Sequence, residues 1–364
     1  MKHVIVVGIR PGENGGIESL FLNIALGIDN HSIKYTFITA KDDFDKTFDL
    51  KIRNAGHNIV YTNSHSSSVR RILDIIKVYK MLKPDIAHIN VTCGSRAFDG
   101  LFFKIINPHG KIIFHSHSNI GKRPLKYTFL IPLFHLLGNN LLGCSLEAAR
   151  YFFGKRVDRK SKYVLLHNGI DTKRFVFKSS DRQRIRDEYS IDEKEPVFGY
   201  VGRLSAEKNI KYAIDLYNGY YQFAHTGYLF IVGDGEMHDS LVEYAERLEL
   251  NNRVLFLGRK MEVEKYMCAM DCLLLPSLNE GLGLVMIEAQ STTLNCFASQ
   301  YVPKEAFISN YAHFIDINNS PIEYSRVFDK YLNQERSNHN EFVKDSGYDI
   351  NDTIERISDI YLSV

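Results

Sequence analysis

Two glutamates, Glu280 and Glu288, stand in the stretch Pro276-Ser277-Leu278-Asn279-Glu280-Gly281-Leu282-Gly283-Leu284-Val285-Met286-Ile287-Glu288-Ala289. A short apolar strand precedes it, and the glycines at 281 and 283 open a helix. At 3.6 residues per turn, Glu288 falls about a turn and a half into that helix. One carboxylate then reaches the centre of a ligand, and the other a group farther out, such as ribose hydroxyls. The amides of residues 282–285 are helix-start donors that suit a phosphate. Two solvated surface carboxylates are the plain alternative. A second junction, Gly199-Tyr200-Val201-Gly202-Arg203-Leu204-Ser205-Ala206-Glu207-Lys208-Asn209, brings Arg203 and Lys208 out of a buried strand. A guanidinium fork and an ammonium point charge together neutralise a diphosphate. The bland reading is an exposed loop with two charges.

A third junction, Gly8-Ile9-Arg10-Pro11-Gly12-Glu13-Asn14-Gly15-Gly16-Ile17-Glu18, is a glycine-rich turn between strand and helix, where backbone amides approach an anion. It is not GxGxxG, and no Gly-Lys-Ser/Thr follows, which weakens the dinucleotide and Walker readings. His115-Ser116-His117 follows another strand. Two histidines at this spacing serve a ligand, bond to backbone, or chelate zinc, but no third metal ligand is evident in the sequence.

These junctions need elements to hold them. Short β-branched runs alternate with helical patterns, the signature of βαβ units and a parallel sheet. Strands are expected over 3–8, 34–39, 58–61, 86–89, 111–115, 140–144 and 163–166, with helices such as 17–28 and 69–82 between them. The series restarts with 197–202, 228–232, 254–257, 272–275 and 295–298. The break lies near Asn168-Gly169-Ile170-Asp171, followed by a polar stretch to about Pro196. The tail after Pro321 reads as wholly helical, with an amphipathic segment over 352–361. The expected fold class is α/β, two doubly wound parallel-sheet domains of Rossmann type. Residues 1–172 form the first, 173–345 the second, and 346–364 a helix returning to the first. Open parallel sheets bind ligands at the carboxyl ends of their strands, where strand order reverses. The chemistry is therefore expected in a central cleft between two facing sheets.

The chain has 364 residues, 45% hydrophobic and 24% charged, an ordinary globular composition that excludes low complexity and wholesale disorder. Five cysteines form no CxxC pair and read as thiols rather than a disulfide frame. The apolar run 127–142 is broken by Pro132, His135, Asn139 and Asn140, so a soluble, cytoplasmic protein is expected. The net charge of +2 hides an asymmetry. Residues 1–175 carry 26 Lys+Arg against 13 Asp+Glu, and residues 176–364 carry 19 against 30. The first half thus faces something anionic. A nucleic-acid binder would need a groove-reading motif or aromatic platforms, and neither is present. Lys122, Arg123 and Lys126 precede the apolar strip Phe129-Leu130-Ile131-Pro132-Leu133-Phe134. That pairing suits contact with an anionic membrane surface, or binding of an acceptor that carries a lipid diphosphate; a core helix with a charged start competes with both.

Five motifs occur in order: Gly15-Gly16-Ile17-Glu18, Asn168-Gly169-Ile170-Asp171, Val201-Gly202-Arg203-Leu204 with Glu207-Lys208, Ile231-Val232-Gly233-Asp234-Gly235-Glu236, and Glu280 seven residues ahead of Glu288. In this the chain resembles the large group 1 (family four) retaining glycosyltransferases, which include phosphatidylinositol mannosyltransferases and capsular or exopolysaccharide transferases. The resemblance implies the GT-B fold, with acceptor bound by the first domain and nucleotide-sugar donor by the second. It implies that Arg203 and Lys208 hold the donor diphosphate and Glu288 the ribose. Glu280 would sit at the transferred sugar with the amides of Gly281, Leu282, Gly283 and Leu284, and Gly16 would approach the diphosphate. Gly233, Asp234, Arg259 and Met261 would flank the base. A histidine near the sugar is implied at His117 by the usual second position, with His115 as the alternative and as an acceptor contact beside Lys122, Arg123 and Lys126. The chain departs from the family at Thr293 and Asn295, where a glycine and a proline are common, and at His167, where a proline is usual.

The implied reaction moves a hexosyl unit from a nucleoside diphosphate, most often UDP, to a hydroxyl of a glycan or lipid-linked acceptor with retained configuration. A UDP-sugar is the donor substrate, and no cofactor or metal is expected. Asp43-Phe44-Asp45 imitates the DxD metal motif of the other transferase fold, but its surroundings read as a solvated turn. An epimerase or hydrolase of the same fold, or a non-catalytic nucleotide-sugar-binding subunit, are the competing functions.

Overall fold

The computed structural model describes residues 1–11, 15–63, 68–117, 124–332 and 334–364, leaving aside the side chains of Ser68, Val69 and Lys126. The chain divides into two compact units. One comprises Met1–Gly169 with Gly347–Val364, and the other Ile170–Ser346.

Seven strands build the first unit: β1 (Lys2–Val7), β2 (Ile33–Ala40), β3 (Asn58–Thr62), β4 (Ile86–Val91), β5 (Lys111–Ser116), β6 (Asn140–Gly143) and β7 (Tyr163–Leu165). Their order is β3-β2-β1-β4-β5-β6-β7, and every pairing is parallel. A sheet covered on both faces needs apolar residues on both, and β4 is buried throughout. One face packs Phe21 and Ile24 of the helix Gly16–Gly27 and Ile357 and Tyr361 of the helix Ile350–Ser363. The other packs Tyr79, Phe103 and Phe134 from helices that follow β3, β4 and β5. The strand order reverses between β1 and β4, which puts the ligand-binding crevice of this sheet beyond their carboxyl ends.

The second unit repeats the plan with β8 (Val197–Val201), β9 (Tyr228–Val232), β10 (Val254–Gly258), β11 (Cys272–Leu275), β12 (Asn295–Ser299) and β13 (Ala312–Ile315). Their order is β10-β9-β8-β11-β12-β13, again with parallel pairings, and the reversal lies between β8 and β11. Sequence patterning stops at β12. The edge strand β13 is four residues long and only half-buried, too short for a period-2 signal.

The tail is not wholly helical, contrary to expectation. Helices Ser325–Leu332, Glu341–Asp345 and Ile350–Ser363 are separated by non-helical chain around Arg336. That guanidinium donates to the carbonyls of Met267 (2.9 Å), Cys268 (3.0 Å) and Met270 (2.7 Å), so it crosses the C-terminal ends of other elements instead of lying on a helix. The three departures from the family pattern have local partners. Thr293 sits at φ 53°, a conformation unfavourable for a β-branched residue, and its Oγ1 donates to Ser337 O at 2.8 Å. Asn295 Nδ2 points to Tyr331 O at 3.4 Å. His167 stacks on Tyr348 with ring centroids 4.3 Å apart, at the start of the returning segment.

Candidate functional site

In the second unit the loops at the carboxyl ends of β10, β9, β8 and β11 are joined by backbone bonds. Gly233 N donates to Gly258 O (2.9 Å), Gly202 N to Val232 O (3.0 Å), Leu204 N to Asp234 O (3.0 Å) and Leu278 N to Glu207 O (2.8 Å). The fit is tight enough that a Cβ on Gly233 would lie 1.8 Å from Gly202 O. Gly233 also has φ +144°, so only glycine is unstrained there. This closure sets Arg203, Asp234 and Arg259 on one edge, all three exposed. Asp234 accepts from the N–H of the next residue, Gly235, at 2.8 Å.

Lys208 ends a single helical turn, and Asn209, at φ 53°, begins the helix Ile210–Ala224. Asn209 Nδ2 donates to Pro276 O at 3.2 Å, tying this turn to the loop after β11. The tie brings the Lys208 ammonium to Glu280 Oε1 at 2.8 Å. Ser277 Oγ donates to the same oxygen at 2.8 Å, and Ser299 Oγ donates to Ser277 O. Ser277 and Ser299 are fully buried and Glu280 nearly so. Oε1 thus takes both bonds, and the carboxylate is held in one orientation. The burial of Tyr200 and its nearness to Glu280 hold the Tyr200 phenol protonated, and that phenol donates to Arg203 O at 2.9 Å. Lys208 and Glu280 therefore meet directly, and Arg203 leaves the adjoining strand one residue past Gly202.

Glu288 lies on the helix Leu284–Ser291 in different company. The helix begins at Leu284 behind Gly283 at φ 80°, and Met286 N already bonds Gly283 O at 2.8 Å. Leu282 and Gly283 therefore precede the helix, and Leu284 and Val285 lead its donor amides, a start two residues later than the sequence implies. Leu282 is buried, while Gly281 and Leu284 are partly exposed. Glu288 keeps some solvent contact, yet desolvation pushes its carboxyl up to about 7; Arg174 opposes the shift and Glu264 adds to it. Arg174 pairs with Glu264 at 2.8 Å and donates to Met261 O at 2.7 Å. It links Met261, itself exposed, to the surroundings of Glu288. Sequence reasoning passed over Arg174, Ser277 and Ser299, because each acts through a partner far along the chain or through a short hydroxyl with no distinguishing pattern.

In the first unit, Gly8 follows β1 at φ +90°, and a Cβ there would lie 2.6 Å from Asn90 O of β4. Glu18 Oε1 accepts from Arg10 N at 2.8 Å, and Gly16 is the first residue of its helix. His117 Nε2 meets Asn90 Oδ1 at 2.7 Å beside that crevice. His115 is wholly buried behind it, its Nδ1 3.2 Å from His88 Nε2. Lys122 and Arg123, and the side chain of Lys126, lie outside the described residues. Asp45 accepts from Phe48 N at 2.6 Å and caps the helix Lys46–Asn54, which accounts for one acid of the DxD-like triplet. Among the described residues no group of three or more His, Cys, Asp or Glu gathers to hold a metal ion.

Residues 181–346 match the family described as glycosyl transferases group 1. EpsF of Bacillus subtilis (strain 168), named as a glycosyltransferase, is 26% identical over 312 residues, 82% of this chain and 80% of EpsF. The UDP-Gal:alpha-D-GlcNAc-diphosphoundecaprenol alpha-1,3-galactosyltransferase of Escherichia coli is 31% identical over 216 residues, 56% of this chain and 54% of that protein. Among solved structures, Anabaena HepE in complex with UDP and glucose is similar with a TM-score of 0.80 at 16% identity, covering 100% of both chains. The fold is GT-B.

Proposed function

Because residues 181–346 carry the group 1 glycosyltransferase sequence on a GT-B fold, we propose that this protein is a retaining hexosyltransferase. It uses a UDP-sugar and serves surface polysaccharide synthesis. The observation that carries the reading is the Lys208–Glu280 contact, fixed by Ser277 at the point where the second sheet reverses its strand order. The solved HepE complex with UDP and glucose supports a UDP-sugar donor, and the Escherichia coli relative supports a lipid-diphosphate-linked acceptor.

Arg203, Lys208 and the first amides of the helix Leu284–Ser291 neutralise the departing diphosphate without a metal. The bond from the anomeric carbon to the phosphate oxygen breaks, with its electron pair going to the phosphate. The acceptor oxygen attacks on the same face, and its proton passes to that phosphate. Glu280, with Oε1 engaged, offers Oε2 to hydroxyls of the sugar, and Glu288 accepts from the ribose. Leu125, Phe129 and Leu136 are about four-fifths exposed and lie close in sequence to the basic residues 122, 123 and 126, a composition that supports peripheral contact with an anionic membrane. Among the described residues no helix is long and apolar enough to cross one.

The purified protein is screened by mass spectrometry against nucleotide sugars for slow hydrolysis, then for transfer with EDTA present. Turnover of a UDP-sugar that survives chelation is expected. Loss under EDTA overturns the metal-free account, and full donor consumption that no acceptor accelerates favours a hydrolase or epimerase. Binding of UDP without any turnover favours a non-catalytic subunit.

A further inference from the structure

Side chains on alternate positions of a strand share a face. His88 and Asn90 of β4 and His115 of β5, followed by His117, therefore lie in one row on the side of the first sheet covered by the helices Gly16–Gly27 and Ile350–Ser363. The row is in contact end to end, through hydrogen bonds and one ring contact. Tyr361, from the last turns of the C-terminal helix, places its hydroxyl 2.7 Å from His88 Nδ1. His88 Nε2 lies 3.2 Å from His115 Nδ1. The rings of His115 and His117 lie 3.8 Å apart at 39°, and His117 Nε2 meets Asn90 Oδ1 at 2.7 Å.

Proton bookkeeping assigns each ring. Asn90 Nδ2 donates to Val7 O at 3.2 Å, so its oxygen faces His117. A carboxamide oxygen only accepts, so His117 carries its hydrogen on Nε2 and presents Nδ1 as a bare acceptor. Burial pushes His88 and His117 down to about 3 and His115 well below its ordinary value, so each of the three neutral rings holds one hydrogen. The Tyr361 hydroxyl also faces that of Tyr35, and its single hydrogen goes to one of the two; donated to His88 Nδ1, it leaves the His88 hydrogen on Nε2, where it donates to His115 Nδ1. The His115 hydrogen is then on Nε2. Neither His115 Nε2 nor His117 Nδ1 has a hydrogen-bond partner among the described residues, although Asn168 lies near the latter. Among the described residues no other hydrogen bond selects the His115 tautomer. A flipped His115 ring would change the support of the tilted His117 ring packed 3.8 Å from it.

We propose that Tyr361 and His88 are positioning residues, which set the tautomer and plane of His115 and through it hold the ring of His117 at the carboxyl edge of the first sheet. The inference rests on the transferase reading, in which His117 stands near the transferred sugar. It gives the C-terminal helix a role in the site, through contacts spanning 273 residues of sequence between His88 and Tyr361.

Tyr361→Phe keeps the ring and removes only the hydroxyl. Long-range nitrogen–proton NMR of the imidazoles reads the tautomers directly. The wild type is expected to show His88 and His115 each with hydrogen on Nε2, and the variant a mixture at both. With the UDP-sugar found active in the screen, kcat is expected to fall about tenfold while the donor KM stays within about twofold. His88→Leu is expected to cause a similar fall, and the double variant no further one, because linked residues are not additive. An unchanged His115 tautomer, an unchanged kcat, or additive losses overturn the relay. Absence of turnover of every nucleotide sugar by the wild type overturns the transferase reading instead, and the tautomer measurement still decides whether Tyr361 sets His115.

Discussion

Lys208 and Glu280 meet at 2.8 Å, with the carboxylate oxygen shared by Ser277. In the proposed reading a diphosphate that draws on Lys208 competes with this pair, and the lysine carries part of the donor affinity. A charge-assisted bond is worth about 1.5–3 kcal/mol. Lys208→Ala is therefore expected to weaken UDP binding roughly 10- to 100-fold by calorimetry, and an unchanged affinity would reject the assignment. Glu288 makes a prediction of a different kind. Its carboxyl is raised from the ordinary value of 4.5 to about 7, chiefly by burial. A folded value above the unfolded one favours the protonated form, so its contribution to stability is full below about 4.5 and is lost as pH rises through about 7. Glu288→Gln should raise Tm relative to the wild type at pH 8 more than at pH 5. In the proposed reading ribose hydroxyls donate to the ionised form, so wild-type affinity for UDP should fall between pH 8 and pH 6, whereas the Gln variant should show a flat profile. Equal pH profiles in the two proteins would remove Glu288 from the ribose.

Loops rather than strands distinguish this site, and their junctions are held by close backbone approach. Gly233→Ala would put a methyl 1.8 Å from Gly202 O. Overpacking costs about 1–3 kcal/mol, and the loop that carries Asp234 must move. A fall in Tm of roughly 2–10 °C with loss of UDP binding is expected; retention of both would show that the two loops are not coupled. The glycines that make this junction possible were visible as a motif, because a tight turn leaves a local mark on composition. The strand β13 and the segment around Arg336 left none. One is too short for periodicity, and the other is fixed by carbonyls at Met267, Cys268 and Met270, some 66 to 69 residues away.

At the scale of the whole chain, charge is divided between its halves, and the basic half also bears the exposed side chains of Leu125, Phe129 and Leu136. Each large apolar side chain is worth about 1.5–3 kcal/mol when it leaves water. Leu125→Ser with Phe129→Ser should cut flotation with phosphatidylserine vesicles about tenfold or more, and neutralising Lys122, Arg123 and Lys126 should remove its salt dependence. Undiminished flotation in both variants would end the membrane proposal.

The alternation of strands and helices, the restart near Asn168, and the glycines and charges at strand ends were legible residue by residue, since each depends on neighbours a few positions away. The pairing of Lys208 with Glu280, the Arg174 link to Glu264 and Met261, and the Tyr361–His88–His115 row were not. A buried polar group must find a partner, but nothing in its local sequence names which one. Folding the chain into parallel sheets supplied those partners, by bringing the carboxyl ends of non-consecutive strands side by side.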